Sequence, residues 1–375
     1  MIGEVNVEEK IFQKVEENRE AMIEDIRNLV RIRSVEGEAQ EGAPFGQGVK
    51  AALKEALDIS EKLGFRTRNL DNYMGYAQYG EGKDYVGAFG HLDVVPEGEG
   101  WKHPPFSGYL EDGVIYSRGI LDNKGPIMSC LYALYALKEL DLKGEHPVRI
   151  IFGCDEETGF LDLKHYLEQE RPPVWGFTPD CKYPVVYSER GRAVVMISAL
   201  TQDMDKFFAF VNTYFIGAKN TGDRLGIDVT SPEYGVMEMR NYRLAQGNDG
   251  VFFEVTLSYP PEISIEKIFK KIGAKAEGMK VTVTQNYNPV RFDKEGPMVK
   301  TLQACYERVT HQDGTPVTTT GGTYAKLMPH IVPFGPSFPG QKGIGHNPNE
   351  WMTIEDLVTN AKIYALALYR LSQLR

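Results

Sequence analysis

The stretch Val86–Pro126 reads VGAFGHLDVVPEGEGWKHPPFSGYLEDGVIYSRGILDNKGP. It opens with an apolar run that predicts a buried strand, and Gly90 ends this run immediately before His91 and Asp93. Side chains at the carboxyl end of such a strand lie at the mouth of an open α/β sheet. A neutral imidazole is a good ligand for zinc, and a carboxylate often holds its second N–H. The stretch therefore predicts a metal ligand at His91, oriented by Asp93.

Other acidic or imidazole groups follow later predicted strands. Asp122 comes after a second apolar run, and the pair Glu156–Glu157 comes after a third. Asp180 ends the segment FTPD, and His346 lies beyond a stretch rich in glycine and proline. Spacing alone does not show that these groups meet in space, and a satisfied surface or capping group is the alternative for each one singly.

Alternating strands and helices surround these positions. Helices are predicted over residues 8–33, 49–63, 124–140, 161–168, 298–310 and 354–374, and strands over residues 65–70, 73–79, 85–89, 148–153 and 185–187. This alternation is typical of an α/β domain with a mainly parallel sheet.

The rhythm changes over residues 192–288. Here the apolar patterns predict the order βαββαβ, which is that of a ferredoxin-like α+β domain. A chain of 375 residues is long enough for two domains. We therefore expect one domain formed by residues 1–190 and 293–375, and a smaller inserted domain formed by residues 191–292.

Composition narrows the choice of partners. The net charge of −10 argues against nucleic acid and anionic membranes, since both require basic surface. The first ten residues, MIGEVNVEEK, are acidic and lack the apolar segment of a signal peptide, so we expect a cytoplasmic protein. The four cysteines show no CxxC spacing, which predicts neither a disulfide framework nor a cysteine-based zinc site.

Several motifs together resemble the M20 family of di-metal peptidases and amidohydrolases, and within it the dipeptidase V-like branch. They are HLDVVP, G-x-x-D-x-K-G-P, DEETG, GHNPNE, FTPD, GGTYA and FGPSFPGQ, and they occur in consistent order through residues 10–190 and 293–375. The likeness is thin between residues 190 and 292. The resemblance implies a di-metal hydrolase domain carrying an inserted lid.

The resemblance also implies a role for each candidate residue. Asp122 would bridge two divalent ions, with His91 and Asp180 completing one site and Glu157 and His346 the other. Two zinc ions suit these nitrogen and oxygen ligands, with manganese or cobalt as alternatives. Glu156 would be the general base, and Asp93 would assist it as a catalytic residue. Family members commonly have a cis peptide bond at the position of Asp122–Asn123, and we predict one here.

The expected substrate is a dipeptide or similarly small peptide, with an acyl-amino acid as the alternative. Gly321, Gly322 and Tyr324 of GGTYA could contact it, although a tight turn is an equally good explanation. His103 could be a further metal ligand, but a structural role is the simpler explanation. A metal-binding homologue that has lost catalysis is the rival hypothesis, and the chain is expected to be a monomer or a homodimer.

The insertion departs from the family. Relatives carry there a histidine that helps to hold the oxyanion and an R-Y-P arginine that binds the substrate carboxylate. This chain has no histidine between His165 and His311, and the R-Y-P position reads Ser258-Tyr259-Pro260. Arg240 could supply the missing charge, as could Arg224 or Arg243, although a solvated surface arginine is the alternative for each. We therefore expect weak activity on ordinary dipeptides.

Overall fold

The computed structural model describes residues 6–247 and 250–375, and the chain divides into two compact units. The first unit contains Met1–Tyr187, Asp293–Pro316 and Thr323–Arg375, and the second contains Ser188–Phe292 and Val317–Gly322. The segment Val317–Gly322 thus belongs to the second unit, although the boundaries expected from the sequence assign it to the first.

A six-stranded mixed sheet forms the centre of the first unit. In spatial order its strands are Arg66–Leu70, Met74–Tyr79, Val148–Gly153, Val86–His91, Trp175–Thr178 and Ile331–Pro333. The first two strands pair antiparallel, and the other four run parallel to one another. Every residue of Val86–His91 and Val148–Gly153 is buried, as expected for central parallel strands covered by helices.

The α-helices of the first unit are Val7–Glu17, Arg19–Val30, Gln47–Lys62, Lys124–Glu139, Leu161–Gln169, Pro297–Thr310 and Ile354–Ser372. The single helix predicted over residues 8–33 is wrong, because the structure has two helices that meet at Asn18. Asn18 ends the first helix by donating its N–H to the carbonyl oxygen of Lys14 at 3.2 Å, and it begins the second by accepting the N–H of Met22 at 2.9 Å. No helix in the described parts of the chain is both long enough and apolar enough to cross a lipid bilayer.

Short strands complete the first unit and lead into the second. Tyr109–Glu111, Val114–Tyr116 and Trp351–Thr353 form one small sheet, and Cys181–Lys182 pairs with Pro336–Ser337. A further small sheet contains Val186–Glu189, Val290–Arg291 and Val317–Thr319.

The second unit is an antiparallel four-stranded sheet with two helices. Its strands in spatial order are Glu238–Gln246, Gly250–Tyr259, Gly191–Leu200 and Lys280–Tyr287, and its helices are Met204–Tyr214 and Ile265–Gly273. Burial alternates along Gly191–Leu200, and the buried side chains join the helices in one hydrophobic core. The βαββαβ order and the strand arrangement are those of the predicted ferredoxin-like domain. The predicted α/β fold class with a smaller α+β domain is confirmed.

Candidate active site

His91 is the last residue of the strand Val86–His91, and its imidazole is fully buried. Its Nδ1 lies 2.9 Å from the backbone carbonyl oxygen of Asp93, and its Nε2 lies 3.1 Å from Oδ1 of Asp122. The Asp93 carboxylate, predicted to orient the ring, is farther away, with Oδ1 3.5 Å from Nδ1. The backbone carbonyl therefore takes the orienting role. An acceptor at Nδ1 leaves Nε2 available to bind a cation.

Asp122 presents one carboxylate oxygen to each of two imidazoles. Oδ1 faces His91 at 3.1 Å, and Oδ2 lies 2.9 Å from Nε2 of His346. The peptide bond between Asp122 and Asn123 is cis, which confirms that prediction. The Asn123 side chain donates to the carbonyl oxygen of Pro179 at 2.5 Å, next to Asp180. A single carboxylate thus contacts both imidazoles.

The other predicted metal ligands lie close to Asp122 and the two imidazoles. His346 Nε2 lies 2.9 Å from Glu157 Oε1, and His91 Nε2 lies 3.8 Å from Asp180 Oδ2. Two sets of ligand atoms each lie within 4.8 Å of one another, namely those of His91, Asp122 and Glu157 and those of His91, Glu156 and Asp180. The fold thus brings together Glu156 and the five residues predicted to bind metal, all within the first unit.

The cluster holds more negative charge than its own imidazoles balance. Burial raises the pKa of Glu156, Glu157 and Asp180, and neighbouring carboxylates raise it further. Hydrogen bonds to Asp122 and Glu157 raise the pKa of His346 to about 11. Groups of this kind are stable together when cations neutralise them. The mixture of imidazole and carboxylate donors fits divalent metal ions of the zinc or manganese type.

Asp93 forms hydrogen bonds with two members of the cluster. Its Oδ2 accepts the backbone N–H of Glu157 at 3.0 Å, while its carbonyl oxygen holds His91. Its Oδ1 is buried and has no hydrogen-bond partner among the described residues. Asp93 therefore holds two of the predicted ligands, His91 through its own backbone and Glu157 through its side chain.

Asp162, which the sequence analysis did not single out, holds the loop that carries Glu156. Its Oδ2 accepts the backbone N–H groups of Cys154 at 2.7 Å and Asp155 at 3.0 Å, and it also accepts the Tyr324 hydroxyl. Burial raises the pKa of Asp162 to about 7. A single aspartate in the first turn of a short helix gives no sequence signal beyond that of an ordinary helix start.

The structure corrects the prediction that Tyr324 contacts the substrate. Its side chain is fully buried, and its hydroxyl points at Asp162 in the interior of the first unit. The aromatic ring also packs against Phe160, with ring centroids 5.6 Å apart. Tyr324 thus supports the Glu156 loop from inside.

A buried ion pair between Arg118 and Glu350 supports the loop of Asp122. Nη1 of Arg118 lies 2.8 Å from Oε2 of Glu350, and Oε1 accepts the N–H groups of Leu121 at 2.9 Å and Asp122 at 3.1 Å. Arg118 also donates to the carbonyl oxygen of Asn347, the residue after the histidine of GHNPNE. The motif contains Glu350, but nothing in the sequence assigned it this task.

The other predicted substrate contacts lie in the second unit. Arg240 donates to the carbonyl oxygen of Thr320 at 3.1 Å, and Gly321 and Gly322 follow in the same exposed segment. Their roles in substrate binding stay predictions. His103 stacks on Tyr109 with ring centroids 3.7 Å apart, which accords with a structural role.

Comparison with known proteins gives relatives over nearly the whole chain. The Bacillus subtilis (strain 168) protein named "Putative dipeptidase YtjP" is 27% identical over 471 aligned positions, covering 98% of this chain and 100% of the relative. Human carnosine dipeptidase 1 has a similar structure, with a TM-score of 0.79 at 17% identity, covering 99% of this chain and 100% of that chain. The Saccharomyces cerevisiae dipeptidase Dug1p has a TM-score of 0.76 at 15% identity, with 98% of each chain covered.

The two structural likenesses show a shared fold. The family is shown by a sequence model, described as peptidase family M20/M25/M40, which matches residues 88–370. This range is well over half of the chain, and it includes His91, Asp122, Glu156, Glu157, Asp180 and His346. The protein belongs to peptidase family M20/M25/M40.

Proposed function

We propose that the protein is a metal-dependent dipeptidase that hydrolyses the amide bond of a dipeptide or similarly small peptide. The observation that carries this proposal is the cluster around Asp122, in which Glu156 lies among two imidazoles and three further carboxylates. The relative from Bacillus subtilis and both structural neighbours bear dipeptidase names, which supports a substrate of this size.

The cluster divides into two sets of ligands. Asp122 would bridge two divalent ions, with His91 and Asp180 on one side and Glu157 and His346 on the other. We propose zinc for both ions, with manganese or cobalt as alternatives. When bound, the ions lower the pKa of a water molecule and polarise the scissile carbonyl.

Glu156 is the residue that we assign to proton transfer. Burial and the neighbouring Asp180 carboxylate raise its pKa, which brings a glutamate nearer to the working pH of a general base. Its carboxylate would take a proton from the attacking water and pass it to the leaving amine. Asp162 and Asp93 hold the backbone on either side of Glu156, so its position is fixed before substrate arrives.

We also propose that the first unit is the catalytic domain, because every residue of the cluster belongs to it. The second unit would be the inserted lid that the family resemblance implies.

Hydrolysis of a dipeptide panel with added zinc or manganese tests the proposal. Wild-type protein should cleave at least one dipeptide, and Glu156→Gln should lose about 10²- to 10⁴-fold in kcat while keeping its metal and its circular dichroism spectrum. Glu277→Gln, the same change at an exposed position of the second unit, should leave kcat unaltered. Near-normal turnover by Glu156→Gln would move the base elsewhere. Wild-type protein that cleaves no dipeptide would contradict the proposed substrate and favour a deacylase or a non-catalytic metal binder.

A further inference from the structure

A cleft of about 210 Å³ opens beside the carboxylates of Asp122 and Asp180. Its other walls are apolar side chains together with a loop rich in glycine and proline, and they include Leu121, Pro336, Ile344 and Ser337. Lys342 is the one basic residue among the described residues that line it. Pockets for drug-sized ligands occupy roughly 300–1,000 Å³, so this cleft suits something nearer to a single amino-acid residue.

The loop fixes Lys342 through its neighbours. On one side, Gln341 donates from its side chain to Asp356 at 2.9 Å, which ties it to the last helix. On the other side, the Asn347 side chain donates to the carbonyl oxygen of Gly343 at 3.0 Å. Lys342 itself makes no side-chain hydrogen bond or ion pair with any described residue. Lys342 thus lines the cleft on an anchored backbone, and its exposed side chain has no charged partner among the described residues.

A cation in this place is electrostatically useful. The cleft lies against acidic groups that would repel an anionic substrate wherever metal does not neutralise them. A dipeptide places its terminal carboxylate one residue beyond the scissile amide, roughly 3.5 Å farther along an extended chain. The flexible stem of a lysine lets its ammonium group follow a carboxylate over such a distance.

We propose that Lys342 binds the C-terminal carboxylate of the substrate in this cleft, an inference that rests on the proposed dipeptidase function. It would take the place of the R-Y-P arginine, whose position here reads Ser258-Tyr259-Pro260. The ligand class is a free α-carboxylate on a small residue. A neutral C-terminal amide of the same dipeptide lacks the charge that the ammonium group recognises.

Calorimetric binding to zinc-loaded protein tests this subsite without relying on turnover. All variants at position 342 also carry Glu156→Gln. Each is titrated with a dipeptide and, separately, with the C-terminal amide of that dipeptide. The dipeptide is the one with the fastest wild-type turnover, or glycyl-leucine if none turns over. Lys342→Met should weaken dipeptide binding about 10- to 100-fold, the range of one hydrogen bond to a charged group. Amide binding should change less than about two-fold, and Lys342→Arg should keep the preference for the carboxylate.

Lys182→Met is the matched control, because Lys182 is exposed and follows Cys181, which lines the same cleft. It removes one positive charge nearby and should leave both affinities unchanged. The proposal would be overturned if Lys342→Met weakened the binding of dipeptide and amide equally, or if Lys182→Met weakened dipeptide binding as much as Lys342→Met. It would also be overturned if neither ligand bound. Hydrolysis by the chain with Glu156 intact is scored separately. Lys342-dependent binding without any hydrolysis would defeat the proposed function and leave the carboxylate subsite standing.

Discussion

Among the proposed metal ligands, Asp122 is the one that faces both imidazoles, one with each of its carboxylate oxygens. We predict that Asp122→Ala abolishes the binding of both ions, since neither half of the cluster keeps its shared ligand. Metal analysis of the purified variant measures this directly. Circular dichroism and Asp228→Ala, an exposed aspartate of the second unit, control for unfolding and handling. Retention of both ions would contradict the bridging role.

Protonation of the cluster around Asp122 should oppose metal binding. The pKa of His346 is raised to about 11, and burial raises that of Glu157 and Asp180. Metal-free protein therefore holds protons near neutral pH that ligand bonds to metal must displace. We predict that zinc binding releases protons and weakens as the pH falls from about 7 to about 5.5. Titration calorimetry in buffers of different protonation enthalpy measures the release. An affinity that does not vary over this range would contradict the shifts.

Among the elements of the first unit, the loop from Gly153 to Glu157 is held by side chains that lie very close to its backbone. A Cβ at Gly153 would lie 1.8 Å from the Tyr324 hydroxyl oxygen and 2.8 Å from Oδ2 of Asp162. The strand end can approach these two side chains only because it has no side chain of its own. Position 153 therefore links the sheet to the placement of Glu156.

We predict that Tyr324→Phe lowers kcat about ten-fold with KM little changed, because the loop loses one of the donors that fix Asp162. Removing a buried hydrogen bond also costs about 1–3 kcal/mol of stability. Tyr85→Phe removes another buried hydroxyl, which bonds Tyr166 at 2.8 Å, and should lower stability without lowering kcat. Gly153→Ala should reproduce the kcat loss. Equal kcat losses in both tyrosine variants would show that stability alone explains the effect.

Local patterns were sufficient to predict most strands and helices, because apolar periodicity directly reflects which side chains the core buries. They could not predict the break at Asn18, since the periodicity continues across it, or the role of Asp162, which depends on a tyrosine 162 positions away. The members of the cluster around Asp122 could be predicted only from the motifs that resemble those of the family. Spacing alone cannot bring His91 and His346 to one carboxylate.

At the scale of the whole molecule, Arg118 and Glu350 join segments 232 positions apart in the sequence. Both are almost fully buried, with exposures of 1% and 0%. Arg118→Met would leave the Glu350 carboxylate buried without its partner, and we predict a loss of about 3–5 kcal/mol. The double variant Arg118→Met/Glu350→Gln should lose less, because no unpaired charge remains.

Tryptophan fluorescence during urea unfolding measures this loss in the first unit alone, which contains all of the tryptophans, Trp101, Trp175 and Trp351. Arg66→Met breaks the exposed pair with Glu81 and should cost less than about 1 kcal/mol. If Arg118→Met is no less stable than Arg66→Met, the buried ion pair contributes little to stability.

We predict that the absence of histidine from the second unit limits catalysis. The alignment with the Bacillus subtilis relative extends over 471 positions, whereas this chain has 375 residues, so the relative must contain residues that this chain lacks. No histidine occurs in Ser188–Phe292 or Val317–Gly322, so the second unit cannot supply an imidazole donor to the oxyanion. Loss of such a donor typically costs about 10²–10³ in kcat.

If Lys342 holds the carboxylate, the deficit should fall on kcat and leave KM in the ordinary range. We therefore predict that kcat/KM for simple dipeptides lies below roughly 10⁴ M⁻¹s⁻¹, near the lower limit of typical enzymes. Steady-state kinetics on the zinc- and manganese-loaded protein measure both constants. A value well above this limit would mean that another group stabilises the oxyanion. A raised KM with normal kcat would instead place the weakness in carboxylate binding, because removing uniform binding changes KM alone.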